Sequence, residues 1–357
     1  MAQAAAGGAV AAARGSARVG RLLLRLAFSL ALTLLGLIAI TFVIGRIIPI
    51  DPVLAVVGDR ASAETYAKVR LEMGLDLPLW EQFWIYLQKV LAGDFGTAVI
   101  SSRPVLEDLG RVFPATLELA TAATIFGTLL GVPLGVVAAT HHGRWPDQVI
   151  RVVALIGYSV PVFWLGIVGL MLFYAQLDWV PGPGQLDVFY EDIVEPVTGM
   201  ITIDSLIAGE YDVFWNALSH LILPAGLLRY ISLAYIARMT RSFMLGQLRQ
   251  EYVTVARVKG LPERQVVWRH AFGNIRVPLL TVVVLSYAAL LEGAVLTETV
   301  FSWPGLGLYI THSLFNADLN AVLGGTILIG SVFIALNLMS DLLYRLLDPR
   351  TRTELTR

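Results

Sequence analysis

Six apolar runs, each long enough to cross a lipid bilayer, constrain this chain more than any other feature. A helix needs about 20 apolar residues to cross the hydrocarbon core, and only helices or closed barrels satisfy their own backbone hydrogen bonds there. The sequence therefore predicts an all-α polytopic membrane protein with six transmembrane helices. The runs lie near residues 22–44, 116–139, 150–177, 217–237, 278–300 and 321–347.

The composition supports this interpretation. Hydrophobic residues make up 56% of the 357 residues and charged residues only 15%, whereas soluble proteins carry about 25% charged residues. The chain has no cysteine, so it offers neither a disulfide framework nor a thiolate site. The first run is interpreted as a retained span, because its uncharged core, residues 26–45, is longer than the core of a signal peptide.

Positive charge is distributed unevenly among the connecting segments. Residues 238–276 carry eight Lys or Arg and two acids, whereas residues 178–212 carry eight acids and no base. Residues 1–25 and 345–357 each carry four Arg. Because cytoplasmic loops are enriched in Lys and Arg, both termini and segment 238–276 are predicted to be cytoplasmic. Residues 46–113 and 178–212 are predicted to lie outside.

These assignments divide the chain into a disordered cytoplasmic tail at residues 1–20, a transmembrane domain at 21–348, and a cytoplasmic tail at 349–357. Apolar residues at helical spacing predict two small helices, at 64–73 and 80–91, within the extracytoplasmic insertion 46–113 between spans one and two. The second outer loop, 178–212, is predicted to form turns followed by a solvated surface.

The basic loop 238–276 is predicted to form two short helices that meet at an angle. Gly260 suits the left-handed position that ends a helix. Pro262 suits the first position of the next helix, where Glu263 complements the helix dipole. A corner of this kind can occupy a groove on a partner protein.

The first of these helices has a predicted contact side and a predicted basic side. Tyr252, Val255 and Ala256 fall on one side, while Arg257 and Lys259 face elsewhere. The apolar side would contact the partner and the bases would fix its orientation. The alternative, that the bases only retain the loop in the cytoplasm, leaves the helix-Gly-helix pattern unexplained.

The string EYVTVARVKGLP at residues 251–262 resembles the cytoplasmic EAA loop of ABC importer permeases, in the form found in the dipeptide and oligopeptide permease family. The similarity covers nearly the whole chain after Arg21. Further matching strings are GDFG at 93–96, PATLEL at 114–119, HLILP at 220–224, ETVFSWPGLG at 298–307, DLLY at 341–344 and DPR at 348–350. One departure is Thr254-Val255-Ala256, which stands where the general motif has Glu-Ala-Ala.

The resemblance implies a transport subunit that couples to separate ATPases through this loop. The residues assigned to the coupling loop are Glu251, Tyr252, Val255, Ala256, Arg257, Lys259, Gly260, Leu261 and Pro262. Gly260 and Ala256 match the family motif directly, and Glu251 matches only by proximity. Because no Glu stands at the motif position, the resemblance does not support an ATPase contact through a loop carboxylate at that position.

The resemblance also implies the partners. They are two cytoplasmic ATP-binding subunits that hold ATP and magnesium, a second homologous permease, an extracytoplasmic substrate-binding protein and the lipid bilayer of a bacterial or archaeal plasma membrane. No nucleic acid is expected, and this chain is expected to bind no cofactor itself. The expected cargo is short peptides, but the same family includes carriers of nickel, glutathione and other small solutes.

Other function classes fit the residues less well. The chain has no Gly-x-x-x-x-Gly-Lys-Ser/Thr phosphate loop, so it is not expected to be an ATPase itself. Five scattered histidines and no cysteine provide neither a catalytic constellation nor a metal site. A secondary transporter would need no docking loop and often shows inverted repeats, which are not evident. A DNA-reading helix-turn-helix is excluded by confinement between two spans.

Polar residues within the spans are candidates for the translocation path, because a charge at the bilayer centre costs about 2.5–3.5 kcal/mol or more. Arg229, about midway along the fourth span, would attract a carboxylate such as a peptide C-terminus. Glu292 in the fifth span is the next candidate, followed by Tyr158 and Ser159, where Pro161 predicts a bend. The alternatives for Arg229 are an internal ion pair, with Glu292 or another buried acid, and a snorkelling side chain.

Three other residues are given structural interpretations. Glu118 and Glu298 lie near the outer ends of spans and are expected to be solvated. His220, at a span entrance, is expected to be packed or hydrogen-bonded and not catalytic.

Overall fold

The computed structural model describes residues 28–46, 52–58 and 61–347. The predicted tails at 1–20 and 349–357 and the first residues of the first span lie outside these ranges. The described residues form two compact units, one made of the residues up to Ala92 together with 345–347 and the other from Gly93 to Tyr344.

The first unit contains four helices. They are α1 (Phe28–Arg46), α2 (Pro52–Val57), α3 (Ala63–Glu72) and α4 (Leu79–Leu91). The ring of Phe42 in α1 packs edge-on against Phe83 and beside Tyr86 in α4, with centroids 5.4 and 5.6 Å apart. The predicted helices at 64–73 and 80–91 are confirmed as α3 and α4.

The second unit contains the remaining helices. In chain order they are α5 (Val105–Thr140), α6 (Trp145–Ser159), α7 (Val162–Gly169), α8 (Ile201–Ala208), α9 (Tyr211–Leu248), α10 (Glu251–Val258), α11 (Glu263–Gln265), α12 (Phe272–Val300), α13 (Leu306–Phe315) and α14 (Leu319–Leu347). Segments of π-helix extend α7 through Leu170–Gln176 and join α11 to α12 through Val266–Ala271.

The predicted all-α polytopic fold is confirmed. Five helices of the described residues are long and apolar enough to cross a membrane, and α6 with α7 makes a sixth span if the pair is counted as one. Counted as one span, this pair is not straight: its two parts are bent by 95° at the break that contains Pro161. The other spans extend beyond the predicted apolar runs, since α5 begins at Val105 and α9 ends at Leu248.

The closest approach between spans follows a glycine stripe on α5. Gly127, Gly131 and Gly135 recur every four residues and face α9. A Cβ atom at Gly135 would lie 2.6 Å from the backbone oxygen of Ala237, and one at Gly131 would lie 3.1 Å from that of Leu233. Lipid gives no hydrophobic drive for helix association, so close backbone packing through small residues supplies the attraction.

Two buried hydrogen bonds attach further elements to this pair. The hydroxyls of Ser232 in α9 and Ser286 in α12 lie 3.0 Å apart. The indole of Trp303, which is fully buried, donates to the carbonyl oxygen of Ala115 in α5 at 3.0 Å. Both bonds satisfy polar groups within the packed region, where an unpaired group would be costly.

We predict that Gly135→Ala destabilises the protein by about 1–3 kcal/mol, the usual cost of overpacking, because the new methyl group meets backbone in α9. Thermal unfolding of the purified protein in detergent measures the effect. Gly110→Ala is the matched control: this position of α5 has open space around it, and alanine favours helix by up to about 1 kcal/mol. Equal melting temperatures for the two variants would contradict the close contact.

Candidate functional site

The basic loop folds into a corner around Gly260. Helix α10 ends at Val258, and the N–H of Leu261 donates to the carbonyl oxygen of Ala256 at 3.3 Å. Gly260 has φ +75°, the left-handed conformation predicted for it. Pro262 is the N-cap residue of α11, one position before the predicted one, and Glu263 lies in the first turn.

The sequence predicted a short second helix for the corner, but the structure shows a long one. The chain is helical from Glu263 to Val300, because α11 continues through the π-helical segment into α12. Apolar residues continue across this junction, where Val266, Val267 and Ala271 are buried. The corner is therefore attached to the end of a spanning helix, which provides a continuous mechanical connection to the membrane domain.

The predicted contact side of α10, made of Tyr252, Val255 and Ala256, is divided in the structure. Val253 and Ala256 are buried and pack against Val266. Val255 does not share this side, since it is 50% exposed whereas Ala256 is 7% exposed. Adjacent residues on a helix point about 100° apart, so Val255 faces away from the neighbour that the i, i+3 pair Val253 and Ala256 contacts.

The outward side of α10 carries an apolar patch formed by Val255 and Val258. Val258 is 83% exposed and was not among the residues predicted for the loop. The spacing of these two valines could have indicated this face, because residues three apart lie side by side on a helix. Glu251, Arg257, Lys259 and Gly260 are also exposed, and Tyr252 and Leu261 are partly buried.

The corner is braced by side-chain contacts on either side of Gly260. Arg257 donates two hydrogen bonds to Glu263, at 3.1 and 2.7 Å, and this contact raises the pKa of the arginine. Both side chains are well exposed, so the pair contributes no more than about 1 kcal/mol. The hydroxyl of Tyr252 donates to Gln247 at 2.8 Å. Arg257 therefore holds the shape of the corner.

A second group of contacts lies at the other end of α12, around Glu298, which was expected to be solvated. That prediction was wrong: Glu298 is 0% exposed. Its carboxylate accepts from the Thr116 hydroxyl at 2.7 Å and from the N–H groups of Gly307 and Leu308 at 2.6 and 3.2 Å. It thus caps α13, whose first N–H groups lack partners within the helix.

The same contacts explain two glycines of the ETVFSWPGLG string. A Cβ atom at Gly305 would lie 2.5 Å from the Glu298 carboxylate, and one at Gly307 would lie 2.3 Å from Cα of Val295. Only glycine lets the turn approach the carboxylate this closely. The string therefore forms a tight turn in which Glu298 caps the start of α13.

Glu118 was also expected to be solvated, and it is buried as well. Its carboxylate accepts from the N–H and hydroxyl of Thr202 and from the side chain of Gln185 at 2.9 Å. His220 contacts the Gly184 carbonyl oxygen at 3.1 Å and Asp187 at 3.3 Å, as expected for a hydrogen-bonded residue.

Loop 178–212 is accordingly more ordered than predicted. It contains helix α8, and the buried Asp204 accepts hydrogen bonds from backbone N–H groups of Val197, Thr198 and Gly199. The loop is thus closed on itself by one acid and attached to α5 by another, Glu118. Some of the acids that suggested a solvated surface instead accept hydrogen bonds within the loop.

An ion pair that the sequence did not indicate joins the start of α6 to α9. Asp147 is 1% exposed, and Arg241 donates to both of its carboxylate oxygens, at 2.6 and 2.8 Å. The N–H of Gly143 donates to the same carboxylate at 2.9 Å. The partners are 94 residues apart in sequence, so no local pattern could reveal them.

Three of the proposed path residues differ in exposure. Arg229 is partly buried, whereas Glu292 and Ser159 are exposed. Within residues 28–46, 52–58 and 61–347 no ion pair joins Arg229 to Glu292. The predicted bend after Tyr158 and Ser159 is confirmed, because α6 ends at Ser159 and α7 begins after Pro161.

We predict that Gly260→Val strains the corner by about 1–3 kcal/mol, the cost of a non-glycine residue held at positive φ. No neighbouring atom lies within 4 Å of the new Cβ position, so backbone strain is the only expected cause. Thermal unfolding in detergent and limited proteolysis between α10 and α11 measure it. Gly246→Val is the control, since this helical glycine also has open space. Equal protease resistance in both variants would count against the strained corner.

We predict that Glu298→Ala lowers the melting temperature strongly. The variant leaves the N–H groups of Gly307 and Leu308 without their acceptor, at about 1–3 kcal/mol for each unsatisfied group. Glu292→Gln on the same helix is the control, because Glu292 is exposed. The structural assignment of Glu298 fails if the two variants melt at the same temperature as the unchanged protein.

Two family models match the chain. The model of the binding-protein-dependent transport system inner membrane component matches residues 131–353, and that of the N-terminal membrane component of such systems matches residues 19–120. Together they extend over most of both units.

Curated relatives match along nearly their whole length. The probable D,D-dipeptide transport system permease protein DdpB of Escherichia coli K12 is 44% identical over 326 residues, covering 90% of this chain and 95% of the relative. The di/tripeptide transport system permease protein DppB of Pseudomonas aeruginosa is 42% identical over 321 residues, covering 90% and 95%. A chain of the inward-facing MetNI methionine ABC transporter aligns with 66% of this chain and 93% of that chain, at 15% identity and a TM-score of 0.48.

The family resemblance inferred from the sequence strings is thereby confirmed. One family model covers more than half of the chain, and the two relatives exceed 40% identity over nine tenths of it. The chain belongs to the family of binding-protein-dependent transport system inner membrane components, the membrane-embedded subunits of ABC importers.

Proposed function

We propose that this chain forms half of the translocation pathway of an ATP-driven importer for short peptides. The relatives named for dipeptide and tripeptide transport support this substrate class, because they match over nine tenths of the chain. An extracytoplasmic binding protein would deliver the peptide, and a second, homologous permease would complete the pathway.

The observation that carries the proposal is the exposed apolar patch on the corner. Val255 and Val258 present an apolar surface beside the exposed Lys259. A short amphipathic helix of this kind fits a groove on a partner. We propose that the patch contacts one of two ATP-binding subunits. These subunits would hold ATP and magnesium, since this chain has no phosphate loop of its own.

The helical connection gives the corner a role in coupling. The chain runs without a break in helix from Glu263 to Val300, and Arg257 braces the turn in front of it. A displacement of the corner by a closing ATPase would be passed to this span and to the segments packed on it. The revised contact residues are Val255 and Val258, with Ala256, Gly260, Leu261 and Pro262 shaping the corner.

The orientation follows from the charges. Eight Lys or Arg in segment 238–276 and eight acids in 178–212 favour a cytoplasmic corner and an extracytoplasmic second loop. Both termini would then be cytoplasmic, in the inner membrane of a bacterium or the plasma membrane of an archaeon. The binding protein would dock on the side of the second outer loop.

Reconstitution tests this function. The chain is purified with its natural partners, placed in liposomes, and ATP hydrolysis is measured with the binding protein loaded with dipeptides, oligopeptides, glutathione or nickel. We expect stimulation by short peptides. Stimulation by nickel alone would overturn the substrate class, and full uptake by this chain without an ATP-binding subunit would overturn the importer assignment.

For the path itself we propose Arg229, with Glu292, Tyr158 and Ser159 as further lining positions. Arg229 is partly buried and forms no ion pair within the described ranges. A guanidinium in this setting would attract the carboxylate of a peptide C-terminus. Glu292 is exposed on a spanning helix and would contribute a negative charge to the same path.

We predict that Arg229→Ala lowers the uptake of peptides with a free C-terminus by about tenfold, the effect of losing one charge-assisted hydrogen bond of about 1.5 kcal/mol. Amidated peptides should be affected much less. Competitive uptake of the two peptide forms into liposomes measures the difference, and Arg229→Gln repeats the charge loss with a longer side chain. Unchanged rate and preference in variants that assemble normally would exclude Arg229 from the path.

A further inference from the structure

Helix α4 of the first unit carries an exposed apolar stripe. Trp80, Trp84, Leu87 and Leu91 recur at intervals of three or four residues, so they lie along one side of the helix. Trp80, Trp84 and Leu91 are 71%, 57% and 74% exposed, and Leu87 is partly buried. An apolar surface of this size on a short helix marks a contact with a partner or with a membrane.

The opposite side of α4 is held within the first unit. The buried side chain of Gln82 donates hydrogen bonds to the carbonyl oxygens of Leu75 and Leu77, at 3.3 and 2.7 Å. The ring of Phe83 packs edge-on against Phe42 of α1, with centroids 5.4 Å apart. These contacts fix the rotation of α4 about its own axis, so the stripe points away from the unit.

The remaining side of α4 is mainly polar. It carries Glu81, Gln88 and Lys89, with Ile85 among them. The free surface of the helix is therefore divided into an apolar stripe and a charged side. A helix with tryptophan and leucine on one side and charges on another is typical of segments that lie in the plane of a membrane surface.

The contact with α1 indicates the depth of α4 in the bilayer. Arg46, the exposed last residue of α1, lies over the ring of Phe42 at 5.2 Å from its centroid. Phe83 of α4 packs against the same ring. An arginine at the end of a span extends to the level of the lipid headgroups. Helix α4 therefore lies near that level, where tryptophan side chains are enriched in membrane proteins.

The surface of α1 beside this contact is also apolar and exposed. Ile40, Val43 and Ile44 are 61%, 49% and 45% exposed, and they flank Phe42 in the sequence. Because α1 is long and apolar enough to cross the membrane, these side chains face lipid. The lipid-facing surface of α1 thus begins next to α4, which favours lipid over a protein as the occupant of the stripe.

We propose that α4 is a membrane-surface anchor. Trp80, Trp84 and Leu91 insert into the boundary between lipid headgroups and acyl chains, about 5–10 Å deep, while Gln88 and Lys89 stay in water. In the orientation proposed above, this is the outer surface of the membrane. The stripe would then be unavailable to the substrate-binding protein. The inference goes beyond the proposed function, and it depends neither on transport nor on the orientation of the chain.

The test is fluorescence quenching in nanodiscs that hold the full chain with its natural partners. The chain has no cysteine, so Leu91→Cys and its control Lys89→Cys each introduce one site for an environment-sensitive dye, and the unchanged chain gives the background from partner subunits. Phosphatidylcholine with a nitroxide near the top of its acyl chain should quench the dye at 91 at least about twofold more than at 89. Iodide in the buffer should show the reverse order. Trp84→Cys, two turns away on the same stripe, should behave as Leu91→Cys.

Equal quenching by the nitroxide lipid at 89 and at both stripe positions would overturn the proposal, because the stripe would then be no closer to lipid than the polar side. Protection of the stripe positions from both quenchers would assign them to a protein contact, such as the second permease, and would also overturn it. So would a loss of lipid quenching when the binding protein is added. Failure of peptide-stimulated ATP hydrolysis with lipid quenching retained would contradict the proposed function alone.

Discussion

Close backbone contact between α5 and α9 is the constraint on which the second unit depends. In a bilayer the hydrophobic effect does not hold helices together, so the three glycines of α5 let its backbone approach the carbonyl groups of α9. This pair supports the remaining elements. In α5, Thr116 contacts Glu298 and Glu118 contacts Thr202 of loop 178–212, while α9 is followed by the corner.

The cost of burying polar groups determines where the acids lie. Three buried carboxylates accept hydrogen bonds from other segments: Glu298 from the start of α13, Glu118 from loop 178–212, and Asp147 from Arg241. Such groups are favourable only with their partners in place. Their hydrogen bonds therefore join segments that are distant in sequence, and these bonds explain why loop 178–212 is folded in spite of its high content of acids.

The parts that could be predicted from sequence follow from local chemistry. Long apolar runs specify spanning helices, Pro161 specifies the bend of the third span, and Gly260 specifies a left-handed corner. The parts that could not be predicted depend on distant contacts. Ala256 was placed on the partner-contact side together with Val255, because helical periodicity alone cannot show that Val266 fixes which side of α10 is buried. The partners of Glu298 and Asp147 are likewise set by the tertiary fold.

Site-directed cross-linking tests the central claim, that the outward patch of α10 contacts the ATP-binding subunits, most directly. The chain has no cysteine, so single substitutions introduce the only thiol in it. With a bifunctional thiol–amine reagent, Val255→Cys and Val258→Cys should link this chain to an ATP-binding subunit, identified by peptide mass. Val188→Cys, exposed in the second outer loop, should not. Equal linking from Val188→Cys, or no linking from the α10 positions in a complex that hydrolyses ATP, would contradict the account.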